Sequence, residues 1–436
     1  MARLARRLGV YDVLLIVMGS VIGSGIFRTP SVVAQRIHAP GAILGVWAVG
    51  GIVALFGSFV LGELGARRPE GCGAYAYLRD AFHPVVAFAY GWASLLASFT
   101  GGLAAAAVLF AGYFLSLTGF QIAPALLATL ALVALALVNC FGVRMGSNVQ
   151  NGLTLLKIAA LLGIIVVGLA AHPAAHAPFE PLAQSTPGML AGLAIAMIPV
   201  LFTYNGAMVA NFMAPEAREA EMTLPRGLWA GIAGVAILYL LVNGVFIRVL
   251  GVHALAATPV PASDTLFAAV GPVGARLASL AIAIATLGFI SNRLLTVPRL
   301  YQAMAQDGLF FRGIAWIDPK TRVPVIAIAL QAIFAAVIVF SASYEHILNY
   351  VVSTFYVFNG LLALALFLIR AQDRRAGVEQ PERFRAPWHP FSTIIYLLAS
   401  WGVALATYIA YPRDAFIGVA ILLSAVPVYF IWERLR

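Results

Sequence analysis

Charge is the scarcest thing in this sequence. Only 10% of its 436 residues are Asp, Glu, Lys or Arg, against about a quarter in a soluble domain, while 62% are hydrophobic. A soluble globular fold is excluded. Cysteine is nearly absent: Cys72 in a polar break and Cys140 inside an apolar run offer neither a disulfide framework nor a zinc spacing. Lysine is as rare, with Lys157 and Lys320 the two among 27 basic residues. Long polar stretches are missing too, so a disordered region or a polar catalytic domain has no segment to occupy. No nucleophile, base and oxyanion donors are grouped, so an enzyme is not expected. The net charge of +10 would suggest nucleic acid in a soluble protein. Here the arginines cluster in short breaks between apolar runs, where they mark topology. No nucleic acid, metal or cofactor is expected, and His172, His176 and Glu180 read as solvated residues of an outer loop.

What is present is apolar sequence, roughly 270 residues of it, enough for about twelve crossings of about 20 residues each. Charges, prolines and glycines place spans near 10–36, 40–64, 84–116, 122–143, 147–171, 188–212, 225–250, 272–304, 323–341, 344–369, 390–411 and 414–433. Each should be helical, because unpaired backbone in lipid is prohibitive. The sequence therefore predicts an all-α membrane protein of 12 transmembrane helices in a single domain over 1–436. Arg3, Arg6 and Arg7 resemble the start of a signal peptide, but no small-residue cleavage site follows a compact apolar core. Counting Lys and Arg on alternate sides gives 21 against 4, with Arg293 among the 21 and with Arg28 and Lys157 inside spans. That asymmetry predicts both termini in the cytoplasm. The compact loops and the lack of a glycosylation-rich ectodomain favour a bacterial inner membrane.

Two spans look broken. Gly19-Ser20-Val21-Ile22-Gly23-Ser24-Gly25-Ile26-Phe27 sits mid-span and holds three glycines and two serines in seven positions; each glycine weakens a helix by close to 1 kcal/mol relative to alanine. A small-residue packing face would look similar. A second break tips the balance: Phe202-Thr203-Tyr204-Asn205-Gly206 lies mid-depth in the sixth span, with Asn205 181 residues after Ser24. An offset of five spans inserts two halves in opposite orientation, an inverted repeat of 10–171 and 188–369 with helices eleven and twelve (390–433) appended. A helix starting at a break offers N–H groups and a positive dipole end to a carboxylate, here through Ser24, Gly25 and Ile26. A helix ending there offers carbonyls to an ammonium, here at Val21, Ile22 and Phe202 to Tyr204. Together they suit an α-amino acid.

Lys157 lies in the apolar run Leu153-Thr154-Leu155-Leu156-Lys157-Ile158, where a charge costs about 2.5 kcal/mol or more and needs a reason. It stands roughly 15 Å into its helix at 1.5 Å per residue, too deep to snorkel easily. Arg28, just beyond the first break, reads as an interfacial residue, with attraction of substrate carboxylates as the alternative. Glu63 reads as half of a structural ion pair with a nearby arginine.

The Gly19 to Pro30 run, with its Gly-Ser-Gly-Ile-Phe core, resembles the first helix of the amino acid, polyamine and organocation (APC) superfamily, in particular its L-type amino acid transporter branch. Glu63-Leu64-Gly65-Ala66-Arg67-Arg68-Pro69-Glu70-Gly71-Cys72-Gly73-Ala74-Tyr75-Ala76-Tyr77-Leu78-Arg79 resembles an intracellular signature of that family. So does Pro298-Arg299-Leu300-Tyr301-Gln302-Ala303-Met304-Ala305-Gln306-Asp307-Gly308, and more weakly Arg383-Phe384-Arg385-Ala386-Pro387. The resemblance implies a leucine-transporter-like 5+5 inverted repeat, with substrate carboxylate held at Ser24 and Gly25, amine held by backbone near Val21 and Phe202, and the Phe202 ring as an inner gate; Gly23, Ile26 and Gly206 complete the expected site. It also implies that Lys157 takes the place of a sodium ion and bridges helices one and eight, with Thr286 as its side-chain partner. The family's Tyr-Gly-Gly-Trp becomes Tyr204-Asn205-Gly206-Ala207 here, which alters pocket size and polarity.

The expected function is sodium-independent transport of neutral L-amino acids by alternating access, as an exchanger or a proton-coupled carrier, because the pocket segments hold no acidic residue for a cationic side chain. A carrier of cationic amino acids or polyamines is the alternative within the superfamily. A channel or a non-transporting amino acid receptor is the alternative of another class. The expected partners are a small amino acid and the lipid bilayer, with no obligate protein.

Overall fold

The computed structural model describes residues 8–69, 71–171, 189–340, 344–378 and 383–434. Arg3, Arg6, Arg7, Glu70, His172, His176, Glu180 and Arg436 lie outside them. Among the described residues the backbone is helical with no strand beyond one isolated bridge, Leu8 to Ala217. The first span is a bent pair, α1 (Val10–Val21) and α2 (Gly25–Ala34), meeting at 48°. Then come α3 (Pro40–Arg67), the short α4 (Gly73–Ala81), and α5 (Pro84–Ala93), which runs through a π-helical turn at Ser94–Ser98 into α6 (Phe99–Thr118). After α7 (Pro124–Cys140) and α8 (Val143–Ala170), α9 (Met189–Tyr204) gives way at Asn205 and Gly206 to a 3-10 segment, Ala207–Glu216. The rest is α10 (Ala220–Ala257), α11 (Pro261–Val270), α12 (Pro272–Thr296), α13 (Pro298–Gln306), α14 (Val325–Val339), α15 (Tyr344–Arg375), α16 (Phe391–Ala410) and α17 (Pro412–Arg434).

Local chemistry sets these ends. Proline opens α3, α5, α7, α11, α12 and α13 at the first turn, where its missing N–H costs nothing. Among the described residues nine helical segments are long and apolar enough to cross a membrane, and the bent α1–α2 pair makes a tenth. Within the described residues all twelve expected segments are helical, but α7 and α14 have 17 and 15 residues, about 25 and 22 Å at 1.5 Å per residue and short of the roughly 30 Å hydrocarbon core. The short helices α4 and α11 fall in stretches read from sequence as polar breaks.

The three sequence signatures, far apart in the chain, meet at one end of the bundle. Glu63, buried at the end of α3, accepts from Arg67 Nε at 2.8 Å, Arg370 Nε at 2.7 Å and the Ala386 backbone N–H at 2.7 Å. Its expected structural ion pair is therefore a three-way one. Arg67 and Arg68 both reach Asp373 of α15, at 2.6 and 2.9 Å, and Arg79 of α4 pairs with Asp307 after α13. A buried carboxylate with this many donors is compensated. The network ties α3 and α4 to α13 and α15.

On the other side of the breaks Trp47 of α3, Tyr204 of α9 and Tyr239 of α10 form a buried aromatic cluster, with ring centroids 5.2 to 5.8 Å apart. The two edge contacts, Trp47 with Tyr204 and with Tyr239, are each worth about 0.5–1.5 kcal/mol beyond burial. They seat α9 against α3 and α10, and so fix where the second break lies.

Candidate functional site

Each broken helix is held open by its neighbours. At the first break α1 ends at Val21, Ile22 turns extended (φ −71°, ψ 94°) and α2 restarts at Gly25. The last carbonyls of α1 have no helical donor, and other helices supply one: Lys157 Nζ of α8 donates to Gly19 O at 2.5 Å and Ile22 O at 2.8 Å, and Tyr239 Oη donates to Val21 O at 3.0 Å. At the second break Asn205 N–H closes onto Phe202 O at 3.0 Å, and Gly206 takes φ +144°, ψ −17°, a conformation open to glycine alone.

The two breaks touch. Ser20 Oγ donates to Gly206 O at 2.7 Å, and the hydroxyls of Thr29 and Thr203 bond at 2.8 Å. Glycine makes this approach possible, since a Cβ on Gly25 would lie 2.6 Å from Thr203 Oγ1. Gly19 likewise admits α8, where a Cβ would fall 2.6 Å from Gln150 Nε2. The packing-face and broken-helix readings of these glycines thus both hold. Ser20→Ala would leave Gly206 O buried without this donor, at a cost of about 1–3 kcal/mol. A correspondingly lower melting temperature in detergent is expected, and an unchanged one would show that this bond does not couple the breaks.

Between the breaks lies a small cavity. Val21, Gly23, Ser24 and Gly25 line it from the first break, and Phe202 and Asn205 from the second. The start of α2 thus presents its positive dipole end to this space. Four expected site residues stand elsewhere. Ile22 and Ile26 are fully buried in the packing, so only their backbone can serve a ligand. Tyr204 turns toward α3, donating to Trp47 O at 3.1 Å, and with Gly206 lines a second cavity beside α3 and α16.

Lys157 Nζ bonds carbonyls of the first break, and the partner expected for it on α12 is not what it meets. Thr286 Oγ1 donates to Ile282 O and Ala283 O of its own helix, both at 2.9 Å. Threonine in an apolar helix has its nearest acceptors one turn back, and those carbonyls win. The part of α12 beside Lys157 Nζ is Gly288, where a Cβ would lie 3.5 Å away.

Sequence reasoning missed one wall of the cavity. Phe289 and Arg293 of α12 line it together with Phe99 of α6. Arg293 was expected among the charges at one membrane face; it is instead 6% exposed within the bundle. The available signal was the one used for Lys157, an arginine inside an apolar run, eleven positions before the expected end of the span at 304.

Comparison with known proteins agrees with this architecture. The family model described as amino acid permease matches residues 8–431. The serine/threonine exchanger SteT of Bacillus subtilis (strain 168) is 26% identical over 431 residues, 98% of this chain and 97% of that protein. The b(0,+)-type amino acid transporter 1 of Mus musculus is 27% identical over 443 residues, 98% of this chain and 88% of its own. The large neutral amino acids transporter small subunit 2 of Homo sapiens is 27% identical over 447 residues, 99% of this chain and 82% of its own. The chain belongs to the amino acid permease family of the APC superfamily, with the leucine-transporter-like fold that family fits, and is an integral membrane transporter, not an enzyme.

Proposed function

We propose that the protein is a sodium-independent secondary transporter of neutral L-amino acids, working by alternating access as an exchanger or a proton-coupled carrier. The observation that carries this reading is a cavity onto which both broken helices open. The start of α2 suits a carboxylate, and the carbonyl ends of α1 and α9 suit an ammonium. The relatives' names, a serine/threonine exchanger and a transporter of large neutral amino acids, point the same way. Lys157 supports sodium independence, because its ammonium already occupies the carbonyl-lined position behind the first break that a metal cation would otherwise fill.

The cationic and polyamine alternative is weaker. Among the described residues no acidic one lines the cavity and Arg293 does, so a cationic side chain would meet a like charge. In this proposal the chain crosses the membrane twelve times, with α7 and α14 as short spans, and both termini face the cytoplasm of a bacterial inner membrane. Residues 10–171 and 188–369 form the inverted repeats, 390–433 are appended, and one helix bundle rocks against another around the breaks. No obligate protein partner is part of it, although one relative is by name a small subunit.

Uptake of labelled amino acids by liposomes holding the purified protein tests the reading. Saturable uptake without sodium is expected. Stimulation by internal amino acid marks an exchanger, and a response to an imposed pH gradient with none inside marks proton coupling. An absolute sodium requirement overturns sodium independence, while binding without flux points to a receptor.

A further inference from the structure

Arg293 is a buried cation with no carboxylate partner among the described residues. Its guanidinium carbon sits 5.0 Å from the Phe99 ring centroid and 4.8 Å from that of Phe289, so two aromatic faces hold it. Among the described residues no carboxylate reaches it, and its Nη1 is buried without a hydrogen-bond partner. The contrast with its neighbours is chemical. Arg299, six positions on, has Glu216 at 2.5 Å, and Lys157 spends its charge on two carbonyls and does not line the cavity. The substrate cavity therefore carries one unmatched positive charge, on the α12 wall.

A free amino acid brings two charges, and the breaks already match both. An acceptor for Arg293 must then come from the rest of the substrate. We infer that Arg293 is a specificity-determining residue that donates to an oxygen on the substrate's side chain, a carboxylate first and an amide or hydroxyl next. Aliphatic side chains of the same size bind less well, and cationic ones are rejected. This deepens the amino acid carrier reading and rests on it. It narrows the neutral amino acids to polar ones and departs from that reading in widening the substrates to acidic ones, which the same guanidinium would take.

Leucine, asparagine and aspartate have side chains of nearly one shape, which isolates the oxygens. Uptake of each, labelled, is measured in liposomes for the wild type and for Arg293→Met, Arg293→Gln and Arg293→Lys. In the wild type, asparagine and aspartate are expected to half-saturate at concentrations about tenfold or more below leucine, the scale of a hydrogen bond to a charged group. Arg293→Met should erase that preference by weakening asparagine and aspartate far more than leucine, and Arg293→Lys should restore part of it for aspartate. Arg293→Met should also melt no lower than the wild type, since an apolar side chain replaces a buried unpaired charge.

Equal affinity for leucine and asparagine in the wild type overturns the inference, as does a preference unchanged in both Arg293→Met and Arg293→Gln. So does a chloride-dependent uptake blind to the side chain, in which an inorganic anion serves Arg293 instead. A melting temperature several degrees lower in Arg293→Met and Arg293→Gln, with all three substrates lost together, makes Arg293 a structural brace and overturns it too. Absence of flux for every amino acid in the wild type rejects the carrier reading itself, and this inference with it.

Discussion

Lys157→Met is expected to slow amino acid uptake by about a hundredfold while the protein still folds and inserts. Methionine keeps most of the stem and its packing but removes the ammonium that donates to Gly19 O and Ile22 O. Each buried carbonyl left without its donor costs about 1–3 kcal/mol, and 1.4 kcal/mol is tenfold in a rate or equilibrium constant. The loss falls on the geometry of the first break, where Gly23, Ser24 and Gly25 line the cavity. Overall stability should change less, because burying an ammonium in the bilayer is itself costly and methionine is relieved of that cost. Lys157→Arg should rescue little: a planar fork is not a compact ammonium, and the site behind the break is closed. Initial rates in liposomes, with circular dichroism as the control on folding, provide the measurement. A Lys157→Met variant keeping more than about a third of the wild-type rate would mean that the break holds its shape without this residue.

The parts of the site legible in the sequence are those where a residue violates the rule of its surroundings. Three glycines in a membrane helix, a glycine after Asn205 and a lysine in an apolar run are each costly unless something compensates, and each lies at a break or beside one. Arg293 broke the same rule. It escaped because an arginine near the end of an apolar run also fits a membrane face, and hydropathy cannot tell a cavity wall from an interface. Thr286 failed for another reason: it sits at a plausible position along the chain, but where its hydroxyl goes is decided by distance to acceptors, here the preceding turn of α12. The short helices α4 and α11 and the π-helical turn at Ser94–Ser98 carry no long apolar period, and packing creates them. The large-scale fold was readable because lipid leaves a spanning backbone few choices.

Gly206→Ala should abolish uptake altogether, and the reason separates it from other glycine substitutions at the site. At φ +144°, ψ −17° an L-residue has no allowed conformation, a strain of about 1–3 kcal/mol or more before any contact is counted. A Cβ there would also lie 2.7 Å from Ser20 O and 3.0 Å from Ser20 C, backbone atoms of the opposing break that cannot turn aside. Gly25→Ala faces a different obstacle. Its backbone is not in the left-handed region, and the atoms its Cβ would meet, at 2.6 to 3.0 Å, all belong to the Thr203 side chain. Trimming that side chain should help, so Thr203→Ala is expected to recover much of the activity lost in Gly25→Ala. Ser20→Ala should recover none of the activity lost in Gly206→Ala, because the backbone carbonyl remains. Uptake rates of the two double variants against their parents decide the matter. Rescue of Gly206→Ala by Ser20→Ala would show that the obstacle is a side chain, and that the second break does not depend on the dihedral angle that only glycine allows.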